Sequence, residues 1–154
     1  MKVLIALDES PISARAAEEA VRLFRGDDVE FLVISVTSVP VVWAGGAGYG
    51  MVSPMSVGSM YVEPHVEPTE ELVARAEAVG IEDPEPYSLL GDPVTLICRA
   101  VEEHHVDVIV VGSHDKSALR RLIDPSVASG VIRETYRPVL VVSGEPPVES
   151  DSIG

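Results

Sequence analysis

The sequence predicts an open α/β domain, a mostly parallel sheet with helices on both faces, and three observations predict it. Runs rich in Val, Ile and Leu recur as KVLIAL (2–7), VEFLVISVT (29–37), VDVIVV (106–111) and PVLVV (138–142), with a weaker one at PYSLL (86–90). Continuous apolar runs of this length suit strands buried on both faces. Amphipathic helical patterns lie between them. Such alternation implies right-handed crossovers and parallel strands, and in open sheets of this kind ligands bind beyond the carboxyl ends of the strands, where the strand order reverses. The loops after Leu7, Thr37 and Val111 are therefore the candidates for function.

Each element has a local reason to form. In the first helix Ile12, Ala16, Ala20, Val21 and Phe24 share one side, and Arg15, Glu18, Glu19, Arg22 and Arg25 the other. From Val94 to His105 the pattern returns, with Leu96, Ile97, Ala100 and Val101 inward and Arg99, Glu102 and Glu103 outward. A further helix begins near Ser126. Three helix starts share a capping side chain followed by proline, at Ser10-Pro11, Asp92-Pro93 and Asp124-Pro125. Proline there gives up a donor that has no intrahelical partner, and the Ser or Asp accepts from the free N–H groups that follow.

Composition narrows the classes. The chain has 154 residues, 46% of them apolar, and a net charge of −14. That suits one compact domain and excludes a protein that holds nucleic acid by charge alone. Cys98 is the only cysteine, which excludes an internal disulfide and any two-thiolate zinc site and fits a reducing cytoplasm. From Phe31 to Val62 no residue is charged, but prolines and glycines interrupt the stretch too often for a membrane-spanning helix. A soluble, cytoplasmic protein is expected. Residues 1–144 form the expected single domain, residues 38–67 a long insertion loop, and residues 145–154 a flexible acidic tail.

Asp8 follows the first strand directly in ALDES, where its carboxylate can accept from a ribose hydroxyl or an adenine amino group. Equally, it can hydrogen-bond the loop leading into Ser10. His104 falls on the apolar side of its helix near the carboxyl end, as a core-edge histidine. The four histidines and the lone cysteine meet no metal-ligand spacing. Ser10, Ser113 and Ser126 have no histidine base in a recognisable nucleophile arrangement, so the sequence does not support hydrolytic catalysis.

The blocks ALDES-PISARAAEEA, LLGDPVTLICRAVEEHHVDVIVVGSH and Gly112 to Val142, in this order, resemble the universal stress protein family over nearly the whole chain. The resemblance implies a Rossmann-like, doubly wound parallel sheet of five strands in order 3-2-1-4-5 and a homodimer acting in a stress response. It also implies a nucleotide site. Its candidate residues are Ala6, Leu7 and Asp8 after the first strand, Val36 at the end of the second, Val111, Gly112, Ser113 and Asp115 after the fourth, and Ser126 with Val127 at the last helix. One class of the family binds ATP through glycine, two residues, glycine, nine residues, then glycine with serine or threonine. The other class lacks that motif.

In this chain the first glycine is Gly112, but Asp115 and Pro125 stand at the other two glycine positions, and only Ser126 matches at the hydroxyl. The motif works by closing bare backbone N–H groups around phosphate oxygens. Pro125 has no N–H to give, and Asp124 is placed to take the helix start for itself. Asp115 presents a carboxylate to a polyanion, and like charges ~4 Å apart at an effective dielectric near 20 repel by about 4 kcal/mol. Lys116, Arg120 and Arg121 lie in the same loop, where they can grip a phosphate group or pair with Asp115 and Asp124, surface pairing being the expected use. The expectation is weak or absent ATP binding with no required cofactor, the alternatives being an ATP- or AMP-binding sensor and a slow nucleotide hydrolase. The short apolar run Pro138, Val139, Leu140, Val141 and Val142, as an outer strand, is the expected dimer interface.

Overall fold

The computed structural model describes residues 1–38, 65–113 and 127–144. Its order is β1 (Lys2–Ala6), α1 (Pro11–Leu23), β2 (Glu30–Thr37), α2 (Thr69–Ala78), β3 (Glu85–Leu90), α3 (Pro93–Glu103), β4 (Val108–Ser113), α4 (Val127–Glu134) and β5 (Val139–Ser143). All pairings are parallel and the strand order is β3-β2-β1-β4-β5, as expected. β1 is central: Leu4 pairs with Leu32 on one side and Ile109 on the other.

Because side chains alternate across a strand, the sheet divides the core in two. Val3, Ile5, Leu7, Val33 and Val110 pack under α1 and α2 with Ala16, Ala17, Ala20, Leu72 and Ala76. On the other face, Leu4, Leu32, Ile34, Ile109 and Val111 meet Ile97, Ala100 and Val101 of α3 and Ala128 and Val131 of α4. The run 106–111 begins as a strand later than its composition suggests. Val106 is buried outside the ladder, after His105 turns the chain at φ 53°, and the Asp107 carboxylate accepts from the Lys2 N–H at 2.8 Å. β3 and β5 are the outer strands, and no residue of either is fully buried.

Helix α2 is the element that the sequence reading leaves unassigned. It lacks the cap-and-proline start, since Pro68 stands at its N-cap and offers no side-chain acceptor. Only Leu72 and Ala76 are buried from it, a stripe too narrow to stand out. Two capped starts behave as expected. The Ser10 hydroxyl accepts from the Ser13 N–H, and Asp92 accepts from Thr95. The Asp124-Pro125 start, most of the 38–67 connection and the acidic tail lie outside the described residues. Arg15, expected outward with the other charges of α1, instead buries its Nη1 without a hydrogen-bond partner among the described residues.

The Asp92 cap supplies a pH prediction. Its carboxylate accepts from the Thr95 N–H at 2.8 Å and the Thr95 hydroxyl at 2.7 Å, which holds its pKa below the ordinary 3.8. A depressed folded pKa means that the cap contributes in full above the unfolded value and fades as pH falls through the folded one. The difference in Tm between the wild type and Asp92→Ala is therefore expected to be constant from pH 7 down to about pH 5 and to shrink below 3.8. A difference that grows on acidification contradicts this account.

Candidate functional site

β1 is paired by β2 and β4, and the connections from its two neighbours run to opposite faces, so a crevice opens at its carboxyl end. A cavity of about 360 Å³ occupies it. The floor is the end of the sheet: Ala6 and Leu7 of the first crossing, Ile34, Ser35 and Val36 of β2, and Val111, Gly112 and Ser113 of β4. Pro93 and Ile97 at the start of α3, with Val127 at the start of α4, form one side, and Asp8, Ser10, Ile12 and Ser13 form another. Its volume lies at the small end of the range of about 300–1,000 Å³ usual for small-molecule sites, and its lining is mainly apolar.

Eight of the ten residues singled out from the sequence line this cavity: Ala6, Leu7, Asp8, Val36, Val111, Gly112, Ser113 and Val127. Asp115 and Ser126 lie outside the described residues. The sequence reading missed the α3 wall, Pro93 and Ile97, although the Asp92-Pro93 start marks a helix opening at the same edge of the sheet.

Asp8 takes up the loop role. Its Oδ1 accepts from the Ser10 N–H at 2.7 Å and from the Ser13 hydroxyl at 2.8 Å. Ser13 Oγ in turn accepts from the Asp8 N–H at 3.1 Å, so the acid and the first turn of α1 lock each other. A side chain of this kind shapes the rim before it meets any ligand.

Gly112 has a structural reason of its own. A Cβ there would lie 2.9 Å from the Ile12 carbonyl oxygen and 3.0 Å from its carbon, closer than real Cβ contacts come. The bare backbone lets β4 and the first turn of α1 touch.

A second, polar cavity of about 400 Å³ adjoins the first, sharing Asp8, Ser10, Ser35 and Val36 and adding Glu9, Thr37, His65, Glu67 and Glu71. Arg75 answers part of this acidity, through a close pair with Glu67 and a longer one to Glu9 at 3.7 Å. The Thr37 hydroxyl donates to the His65 carbonyl at 3.3 Å. Among the described residues no group of three or more His, Cys, Asp or Glu could hold a metal ion.

The other titratable candidates lie away from the crevice. His104 caps α3 and packs on Tyr87, ring centroids 4.7 Å apart and planes tilted by 44°, in line with a core-edge histidine. The Tyr87 hydroxyl donates to Glu85, and burial first, then that carboxylate, pushes its pKa up to about 12. Cys98 is half-buried on α3; desolvation raises its thiol pKa, with Glu134, Glu102 and Asp92 adding to the effect, which disfavours the reactive thiolate.

An open parallel α/β sheet with an apolar cavity at its switch point defines a domain of the doubly wound class. The family model of the universal stress protein family matches residues 1–143, and the chain belongs to that family. It is 31% identical to Universal stress protein MJ0531 of Methanocaldococcus jannaschii over 142 residues, covering 92% of this chain and 81% of that protein. Among solved structures, a universal stress protein in complex with cAMP aligns with a TM-score of 0.59 at 22% identity, over 92% of this chain and 95% of the other. A family member from Arabidopsis thaliana with AMP bound aligns with a TM-score of 0.59 at 21% identity, over 98% and 97%. At these identities the two structures establish the fold.

Gly112→Ala separates packing from ligand cradling. Since the atoms in the way are backbone of α1, the substitution is expected to cost about 1–3 kcal/mol in urea denaturation with no ligand present. Unchanged stability would mean that the close approach to Ile12 is not what requires glycine.

Proposed function

We propose that this universal stress protein acts by binding and not by turnover: a homodimeric, cytoplasmic regulatory protein whose sheet-edge cavity takes the nucleoside part of an adenine nucleotide while holding a triphosphate poorly. One observation carries the reading. The cavity is mainly apolar and small, suited to a flat heterocycle and a sugar, whereas Asp115 and Pro125 replace the glycines that would supply donors to phosphate. The cAMP and AMP held by two proteins of the same fold support an adenine ligand, and they keep the nucleotide sensor as the second reading.

Calorimetric titration distinguishes the two. Saturable Mg-ATP binding is expected only above the millimolar range, with adenosine binding more tightly than ATP because the barrier lies on the phosphate side. A micromolar constant for ATP, on the order of −8 kcal/mol, favours the sensor. The triple replacement Asp115→Gly, Asp124→Gly and Pro125→Gly is expected to raise ATP affinity by restoring donors and removing acid. If it does not, the loop chemistry is not what limits binding.

For assembly, β5 pairs with β4 alone among the described strands, and we assign its other edge to antiparallel pairing with a second copy. Pro138 to Val142 is the proposed contact. Val139 and Val141 also pack on the α3 and α4 side of their own core, so a charge there needs a folding control. Val141→Lys is expected to shift sedimentation from dimer to monomer while the far-UV circular dichroism stays native. A wild-type monomer at micromolar concentration removes the strand from any interface.

A further inference from the structure

Three polar residues are fully buried among the described residues, Ser13, Ser35 and Ser113, and all three line the same apolar cavity. They differ in what they bond. Ser13 Oγ is engaged with Asp8 and the Ser10 carbonyl, a closed set of contacts that builds the rim. Ser113 is only 3% exposed, and its Oγ has no hydrogen-bond partner among the described residues.

A buried hydroxyl without a partner is uncommon, because it has lost water and gained nothing in return. Folding gives no reason for it here. Ser113 ends β4 on the face of the sheet set by Ile109 and Val111, the face that α3 and α4 cover, and it lines the mainly apolar cavity. Alanine there would remove the polar cost. Beside it Gly112 already meets the packing demand at α1, so the hydroxyl does not serve that contact.

Resting on the reading of this cavity as a ligand site, we propose that Ser113 Oγ is held unsatisfied for the ligand. It is a specificity-determining group that requires a hydrogen-bonding atom of the bound nucleoside, a sugar hydroxyl or ring nitrogen, against the end of β4. A serine hydroxyl can donate once and accept twice, so it suits a neutral polar group of either sense and does not depend on phosphate. The mainly apolar lining of the cavity strengthens that contact by limiting water around it. An apolar ligand of the same shape would fill the cavity and leave the hydroxyl orphaned, and so would bind less well.

The test compares wild type, Ser113→Ala and Ser113→Cys by thermal unfolding without ligand and by NMR titration with adenosine. If the hydroxyl serves the ligand, Ser113→Ala leaves the ligand-free Tm unchanged or raises it, while the Kd for adenosine rises about five- to tenfold, the worth of one neutral hydrogen bond. Ser113→Cys, close in size and a weaker donor, falls between. A lowered Tm with unchanged Kd makes Ser113 a structural residue and overturns the inference. So does a variant that matches wild type in both readouts. If wild type itself shows no adenosine-dependent shifts at the cavity residues, the reading of the cavity fails and takes the inference with it. Binding by wild type with an unaffected alanine variant removes the inference alone.

Discussion

The structure depends on the double pairing of β1. Val3, Leu4 and Ile5 have no exposed surface, and their ladder runs to β2 on one side and β4 on the other. Since parallel neighbours must be reached by right-handed crossovers, extending the sheet in two directions from one strand sends α1 and α2 to one face and α3 and α4 to the other. The two helical layers part over the carboxyl end of β1. The crevice is thus a topological consequence of where the chain begins its sheet, independent of the residues that line it. Those residues decide what can enter.

The rim and floor of the crevice are built by different means. On the rim, Asp8, Ser10 and Ser13 bond one another, so that the acid is a structural part of the first turn of α1. On the floor, Gly112 brings β4 against the Ile12 carbonyl, and the next residue carries a hydroxyl without a partner among the described residues. A motif glycine and a motif-adjacent serine therefore answer different constraints, one steric and one polar. Family resemblance alone would assign both to the ligand.

Much of this architecture was legible in the residues. The apolar runs locate the strands because strands buried on both faces need no alternation, and Ser10-Pro11 and Asp92-Pro93 mark helix starts by a local mechanism that tertiary structure does not override. Helix α2 escaped because its start is a proline without a cap and its buried stripe is two residues wide. Arg15 escaped because the helical wheel sees one helix and not the surface it lies on. Topology pointed to the loops after Leu7, Thr37 and Val111 and the family resemblance named the sheet-edge residues, whereas Pro93 and Ile97 depend on how far α3 leans over the sheet, a packing outcome with no signature in local sequence.

The Thr37 to His65 hydrogen bond has a consequence for how such a domain can change. It joins the two ends of the connection between β2 and α2, at the point where the chain leaves the sheet and where it returns. With the ends already held together by the framework, the entropy of closing the intervening loop grows only logarithmically with its length, about 0.6 kcal/mol for each doubling. Insertions and wholesale replacement between these anchors are thermodynamically cheap, and the anchors border the polar cavity beside the crevice. Evolution can therefore exchange the connection between these anchors while inheriting the sheet unchanged, so that diversity among related domains need not be written into their cores.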